Sequence, residues 1–333
     1  MVIKTRTCES EMKKRVLITG SGQIGSYACE RWLQEGFDVW CLIKYRSTDR
    51  EVKNLKNIIN DIKIIEGDIT DCSFLNKQFF LIKPHLIINT SAQSHVGHSF
   101  SASVQTIETT GTSVLYMLEA IRNSCFNSKF LTLSTSELFG NSAEEFQNEK
   151  TPFAPASPYA AAKNLAHNLV KIYRESYNMW CAAPVLFNTE SPRRGTEFVT
   201  KKIVKQACEI KNKKRQFIEL GNIESRRDWQ SVHDAVEGIW LQSNHNEPDE
   251  FVFGSGKTYS IKEFVQKTFN YLQIPNWENF IKINPLYLRP NDVNYLCADA
   301  TKARTILGWQ PKYSLDDIIK EMVDDEIKNQ TKI

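Results

Sequence analysis

The segment Arg15–Gly25, RVLITGSGQIG, joins a run typical of a buried strand to a glycine-punctuated turn and then to a helix. Glycines at 20, 22 and 25 allow a tight turn and let backbone amides approach a pyrophosphate closely, at the positive end of the helix dipole. Behind the turn, Ile24, Ala28 and Trp32 recur every four residues, and Gly36 stands where a helix from about Gly25 would stop. Such a strand–turn–helix belongs to a crossover unit, so it commits the chain to parallel strands covered by helices.

The rest of the first half repeats the alternation. Strands are expected at Asp38–Ile43, Ile62–Glu66, Leu86–Thr90, Lys129–Thr135 and Ala182–Phe187, with helical stretches between most of them. The fold class is α/β, a doubly wound parallel sheet of Rossmann type with a smaller mixed α/β substrate domain. The texture changes after about Asn188: proline and arginine cluster in Glu190–Gly195 (ESPRRG), and basic and aromatic residues mix through Arg226–Trp229. Ser260 with Glu263 makes a capping box, and Ser314 precedes an apolar stripe of Leu315, Ile318, Ile319, Met322 and Val323. The expected organisation is a polar arm over 1–14, a dinucleotide-binding domain over 15–187, and a mainly substrate-binding domain over 188–333. Elements from about 228–258 return to the first domain.

Composition narrows the function classes. The chain has 333 residues, 42 Lys and Arg against 39 Asp and Glu, and a net charge of +3, which argues against a nucleic-acid footprint. The densest basic run, Lys211–Arg215 (KNKKR), reads as a solvated turn. No apolar stretch approaches the roughly 18–20 residues of a membrane span, and the first fourteen residues carry no apolar signal region. Eight cysteines lie scattered without a CxxC pair, as reduced thiols do. A cytoplasmic protein without nucleic-acid or membrane partners is expected.

Three places carry chemistry. At the end of the second strand an acidic residue would grip the ribose hydroxyls of NAD, but Ile43, Lys44, Tyr45 and Arg46 stand there instead. Cations suit a ribose 2′-phosphate and favour NADP; Lys44 and Arg46 read equally as exposed surface charges. Tyr159 and Lys163, four residues apart, share one face of a helix beginning near Ser157–Pro158. Lysine beside tyrosine is expected to lower the phenol's pKa so that it acts as a base, and also to hold the nicotinamide ribose. Of eleven tyrosines this one alone has lysine four residues on, which singles it out. Ser134–Glu137 (STSE) ends the preceding strand, where parallel sheets open onto their ligand crevice, so Glu137 is either a loop charge or a catalytic acid and base. His95 and His98 form the only close histidine pair, and no metal is expected without thiolate or carboxylate ligands nearby.

Longer blocks carry a resemblance: Asn89–Val96 (NTSAQSHV), Ser134–Gly140 (STSELFG), Thr151–Lys163 (TPFAPASPYAAAK), Leu186–Ile203 (LFNTESPRRGTEFVTKKI), Arg227–Trp229, Arg289–Val293 (RPNDV) and Leu307–Trp309 (LGW). From about Arg15 to Val323 the chain resembles the extended short-chain dehydrogenase/reductase superfamily, and within it the GDP-mannose 4,6-dehydratase branch. Ser136 is similar to that branch, because dTDP-glucose dehydratases carry aspartate there.

The resemblance implies a mechanism. Tyr159, with Lys163, takes the proton of the carbon-4 hydroxyl while hydride passes to NADP. Thr135 hydrogen-bonds the developing ketone. Glu137 takes the carbon-5 proton and helps the carbon-6 hydroxyl leave as water, and hydride returns to carbon 6. It also implies that Gly20, Gly22, Gln23, Ile24, Gly25, Lys44, Arg46, Asp68, Ile69, Tyr159 and Lys163 hold the cofactor. Ser94, Ser136, Asn188, Lys202, Arg227, Arg289 and Asp292 would hold the GDP-sugar, and the protein would be a homodimer or homotetramer.

The chain differs from the family pattern locally. Ser21 alone separates Gly20 from Gly22; Lys44 and Tyr45 partly replace paired arginines; Ala156, Thr189, Gln230 and Ser231 stand where arginine, histidine, glycine and histidine are usual. The expected activity is dehydration of GDP-mannose. The alternatives are dehydration of another GDP-sugar such as a GDP-heptose, a nucleotide-sugar 4-reductase or epimerase, or a non-catalytic nucleotide-binding subunit. Glu137 discriminates, since a simple reductase takes no proton from carbon 5.

Overall fold

A computed structural model describes residues 13–44 and 49–331. The first half runs β1 (Arg15–Thr19), α1 (Gln23–Gln34), β2 (Asp38–Ile43), α2 (Asp49–Asn54), β3 (Lys63–Glu66), α3 (Cys72–Ile82), β4 (Leu86–Asn89), α4 (Val96–Ser99), α5 (Ser103–Ile107), α6 (Ser113–Ser124), β5 (Lys129–Thr132), β6 (Ser134–Thr135) and α7 (Pro158–Tyr177). The second continues with β7 (Cys181–Ala182), β8 (Val185–Leu186), β9 (Asn188–Glu190), α8 (Val199–Lys211), β10 (Ile218–Leu220), β11 (Arg226–Arg227), β12 (Trp229–Ser231), α9 (Val232–Asn244) and β13 (Val252–Phe253). Then come β14 (Tyr259–Ser260), α10 (Ile261–Tyr271), β15 (Ile281–Ile283), α11 (Thr301–Leu307) and α12 (Leu315–Thr331).

The main sheet has the order β3-β2-β1-β4-β5-β7, with every pairing parallel. Alternation along β1 shows why helices cover both faces. Val16 and Ile18 join a core with Ala28 and Trp32 of α1 and Val236 of α9. Leu17, between them, points the other way into a core with Phe79 of α3, Met117 of α6 and Val170 of α7. This is the doubly wound sheet the pattern predicts.

Two expected strands are broken. The run Lys129–Thr135 divides at Leu133 into β5 and β6, and Ala182–Phe187 divides into β7 and β8 around Pro184. Proline has no N–H for the ladder; its carbonyl instead accepts the Ser134 N–H at 2.8 Å. Beyond the break β6, β8 and β13 form a parallel sheet of their own, so residues 252–253 pair with the first half. Helix α1 begins at Gln23, slightly earlier than its apolar pattern implies. Helices α8, α10 and α12 pack together through Ile203, Phe264, Phe269, Ile319 and Met322. The capping box is present: the Ser260 hydroxyl accepts the Glu263 N–H at 3.0 Å, and the Glu263 carboxylate accepts the Ser260 N–H at 2.7 Å. No helix among the described residues is long and apolar enough to cross a membrane.

Candidate active site

A cavity of about 940 Å³ opens at the carboxyl ends of the main-sheet strands, between the sheet and the segments from the second half. Its floor begins at the glycine turn. Gly20 adopts φ +85°, a conformation glycine accepts without strain, and its N–H donates to the Leu42 carbonyl at 2.7 Å. A Cβ on Gly25 would lie 2.0 Å from the Gly20 carbonyl oxygen, so the helix must start with a bare backbone there. Gly22 caps α1 without any side-chain bond, and the space where its Cβ would stand is open. Unshielded first-turn amides beside free space suit a pyrophosphate, and thus a dinucleotide. Gln23 and Ile24 complete this wall; Gln23 Nε2 donates to the Thr189 carbonyl at 2.8 Å.

Lys44, Asp68 and Ile69 line the neighbouring edge. Lys44 Nζ stands 3.3 Å from Asp68 Oδ2, while the Thr70 N–H and hydroxyl donate to Asp68 Oδ1. Burial alone would raise the Asp68 pKa, but Thr70 and Lys44 outweigh it and hold it below the ordinary carboxylate value. Lys44 is therefore exposed and at the cavity edge, so the two readings of its charge coexist. Arg46 lies outside the described residues.

Helix α7 supplies the opposite wall. Ser157 caps it, its hydroxyl accepting the Ala160 N–H at 3.1 Å, and Pro158 occupies the first helical position. Tyr159 and Lys163 then face the cavity as their spacing requires. The Tyr159 phenol lies beside the Thr135 side chain, and Lys163 Nζ donates to the Leu133 carbonyl at 2.6 Å.

The expected acidification of Tyr159 by Lys163 is not found. Burial pushes the phenol up to about 12 and the Lys163 ammonium down to about 8. Desolvation disfavours both charged forms, and the ammonium is aimed at a backbone carbonyl. The chain by itself thus holds a neutral tyrosine.

The third wall carries Thr135, Ser136 and Glu137 on β6 and the short 3-10 turn Ser136–Phe139. The Glu137 N–H donates to Thr135 Oγ1 at 3.3 Å, and the buried Glu137 lines the cavity. From the second half, Arg227 reaches in, its Nε 3.8 Å from Glu137 Oε1 and its Nη2 3.5 Å from Asp292 Oδ1. Asp292 also faces Arg289 Nη1 at 3.3 Å and accepts the Ser225 hydroxyl at 3.2 Å. Burial lowers the Arg227 pKa despite the carboxylates on either side. Ser94, Asn188 and Lys202 also line this half of the cavity, with the Lys202 ammonium 3.7 Å from the Tyr287 ring centroid. All the sequence-assigned residues among those described therefore share one cavity.

Other lining residues escaped the sequence reading. Arg194 stacks its guanidinium 3.6 Å over Phe198 and stands 3.4 Å from Glu190, which also accepts the Thr200 hydroxyl at 2.7 Å. Burial raises the Glu190 pKa. The ESPRRG cluster was the available signal, but spacing alone could not tell Arg193 from Arg194. Arg193 turns outward onto Ser26, Glu30 and Tyr27. His95 lies in the cavity wall edge-on to Phe198, its Nδ1 accepting the His98 N–H at 2.9 Å.

Comparison with known proteins follows the same lines. The family model described as GDP-mannose 4,6 dehydratase matches residues 17–322. GDP-mannose 4,6 dehydratase 1 of Arabidopsis thaliana is 38% identical over 329 residues, covering 95% of this chain and 90% of that protein. The Homo sapiens GDP-mannose 4,6 dehydratase is 37% identical, covering 94% of this chain and 91% of the relative. Among solved structures, a dTDP-glucose 4,6-dehydratase from Streptomyces venezuelae with NAD and TYD bound superposes with a TM-score of 0.85 at 22% identity, covering 95% of this chain and 98% of that one. A UDP-glucose 4-epimerase from Bifidobacterium longum in complex with NAD+ and UDP gives 0.85 at 20% identity, over 96% and 100% of the two chains. The two structures share the fold.

Proposed function

The chain belongs to the GDP-mannose 4,6-dehydratase family, and from that premise we propose that it removes water from GDP-mannose to give the 4-keto-6-deoxy sugar, with a nicotinamide dinucleotide as internal hydride carrier. The observation that carries this reading is the buried Glu137 carboxyl, set in the same cavity as Tyr159 and Thr135 and faced by Arg227. A base for the hydroxyl and a separate base for the neighbouring carbon are what a dehydration needs and a simple reduction does not.

When bound, an oxidised nicotinamide would accept the carbon-4 hydrogen as hydride and give it back at carbon 6, so that no net oxidation results, and would bring a positive charge into the site. With that charge in place the phenol would ionise to solvent, and Tyr159 as phenolate then takes the proton of the carbon-4 hydroxyl and later returns it to carbon 5. Lys163, tied to the Leu133 carbonyl, would hold the ribose. Thr135 donates to the oxygen that becomes the ketone, which acidifies carbon 5. Glu137 takes the carbon-5 proton and passes it to the departing carbon-6 hydroxyl. The buried Arg227 holds Glu137 from the substrate side and, with Lys202, Arg289 and Asp292, meets the diphosphate and base; Asn188, Ser94 and Ser136 orient the sugar. Arginine's planar fork suits the phosphate oxygens.

The cofactor assigned is NADP rather than NAD, supported by Lys44 at the cavity edge and by Arg46 in the sequence. Comparing dissociation constants of the two dinucleotides tests that choice. The working assembly assigned is a homodimer or homotetramer, supported by Val104 of α5 and Leu165 and Ile172 of α7, which are apolar and exposed. A cytoplasmic site of action suits the scattered cysteines. The primary test incubates the protein with GDP-mannose and catalytic NADP+ and follows the sugar nucleotide by mass spectrometry. Loss of one water without net cofactor reduction is expected; an unchanged substrate would overturn the reading.

A further inference from the structure

Helix α7 carries a third polar side chain on the face that holds Tyr159 and Lys163. His167 follows Lys163 by the same four residues, and the three reach consecutive residues of one strand end. Lys163 bonds the Leu133 carbonyl, His167 Nδ1 lies 3.3 Å from Ser134 Oγ, and Tyr159 lies beside Thr135. The mechanism uses the first and third of these contacts and leaves the second unexplained.

The imidazole is only 4% exposed and is built in on every side. Its Nε2 stands 3.3 Å from Glu250 Oε2, and Glu250 Oε1 accepts Arg174 Nη2 at 2.8 Å. Phe153 closes the ring edge-on, with centroids 4.9 Å apart. A carboxylate can only accept, so the proton facing Glu250 sits on Nε2, and Nδ1 on the other side of the ring pairs with the Ser134 hydroxyl, which can donate or accept. Glu250 thus sets the orientation of a ring that grips the strand.

That grip matters because β6 is two residues long and separated from β5 by the break at Leu133. The 3-10 turn bearing Glu137 follows it directly. Few ladder bonds hold this stretch, and a misplacement of about 1 Å in a reacting group can cost about 100-fold in rate.

We propose that His167, oriented by Glu250, is a positioning residue for the dehydration: it fixes Ser134 and so the strand end that presents Thr135 and Glu137. The inference rests on the dehydratase reading. It is tested with His167→Phe, which keeps an aromatic ring and loses both nitrogens, and His167→Asn, which restores a polar group near Nδ1. The expected result with GDP-mannose is a fall in kcat of about tenfold for His167→Phe, with KM near the wild-type value, and recovery of most of the loss in His167→Asn. Wild-type kcat in the Phe variant, equal loss in both variants, or a loss confined to KM overturns the proposal. Inactivity of the wild-type chain is a separate outcome that removes the dehydratase reading and this role with it. Nitrogen NMR of the labelled imidazoles supplies a readout free of turnover. Ser134→Ala and Glu250→Gln should each move the resonances that vanish in His167→Phe; unmoved resonances also overturn the proposal.

Discussion

Arg227 stands between two carboxylates, 3.8 Å from Glu137 and 3.5 Å from Asp292, so one buried guanidinium bridges two acidic residues within a single cavity. The two acidic residues come from opposite halves of the chain, and the arginine is the element that makes their spacing a single site. Replacing Arg227 by Met leaves the buried Glu137 without its cation, while Asp292 keeps Arg289. We expect a loss of about 3 kcal/mol in folding stability, by urea unfolding, together with a raised KM for GDP-mannose. Arg227→Lys should recover part of the stability and little of the KM, because an ammonium lacks the fork that spans both oxygens.

Glu137→Gln keeps the shape and the Thr135 contact of the backbone while removing the carboxylate proposed as base. Turnover to the deoxy sugar should fall by about 100-fold or more, with dinucleotide binding retained. Product formation by mass spectrometry and binding by fluorescence separate the two effects. Unchanged turnover would remove Glu137 from the chemistry.

The glycine turn offers a paired contrast. Gly25→Ala drives a Cβ to 2.0 Å from the Gly20 carbonyl and 2.6 Å from Thr90 Oγ1, so the turn itself must distort and the melting temperature should drop. Gly22→Ala meets open space at an ordinary φ of −62° and should fold normally. Its methyl group fills the approach to the α1 amides, so the expected loss is in dinucleotide affinity, measured by calorimetry.

Glu250 links stability to pH. Burial would raise its carboxyl, but the bonds and charges of His167 and Arg174 hold it down to about 2, below the ordinary 4.5. A depressed carboxyl stabilises the fold above its unfolded pKa. That contribution disappears as pH falls from about 4.5 through about 2. Discounted for its partial exposure, it is about 2 kcal/mol at neutral pH. The stability gap between wild type and Glu250→Gln, from urea unfolding, should be present at pH 7 and shrink steadily below pH 4.5.

Local pattern made much of this protein legible in its sequence. The strand–glycine–helix start, the buried run of β1, the Ser157–Pro158 helix start and the four-residue step from Tyr159 to Lys163 depend on neighbours within a turn or two, where backbone sterics and helix geometry decide the outcome. The tertiary structure alone decided the rest. The break at Leu133 arises because its neighbour strand carries Pro184, which no inspection of Lys129–Thr135 reveals. Arg194 faces the cavity while Arg193 faces α1, a choice made by where Phe198 and Glu30 come to lie. The Tyr159 phenol is held high because burial removes water from both it and Lys163, and burial belongs to the packed fold. Arg227 reaches Glu137, and Glu250 reaches His167, across long stretches of chain; only packing of the two halves brings such charges close enough, in a medium poor enough in water, to act on each other.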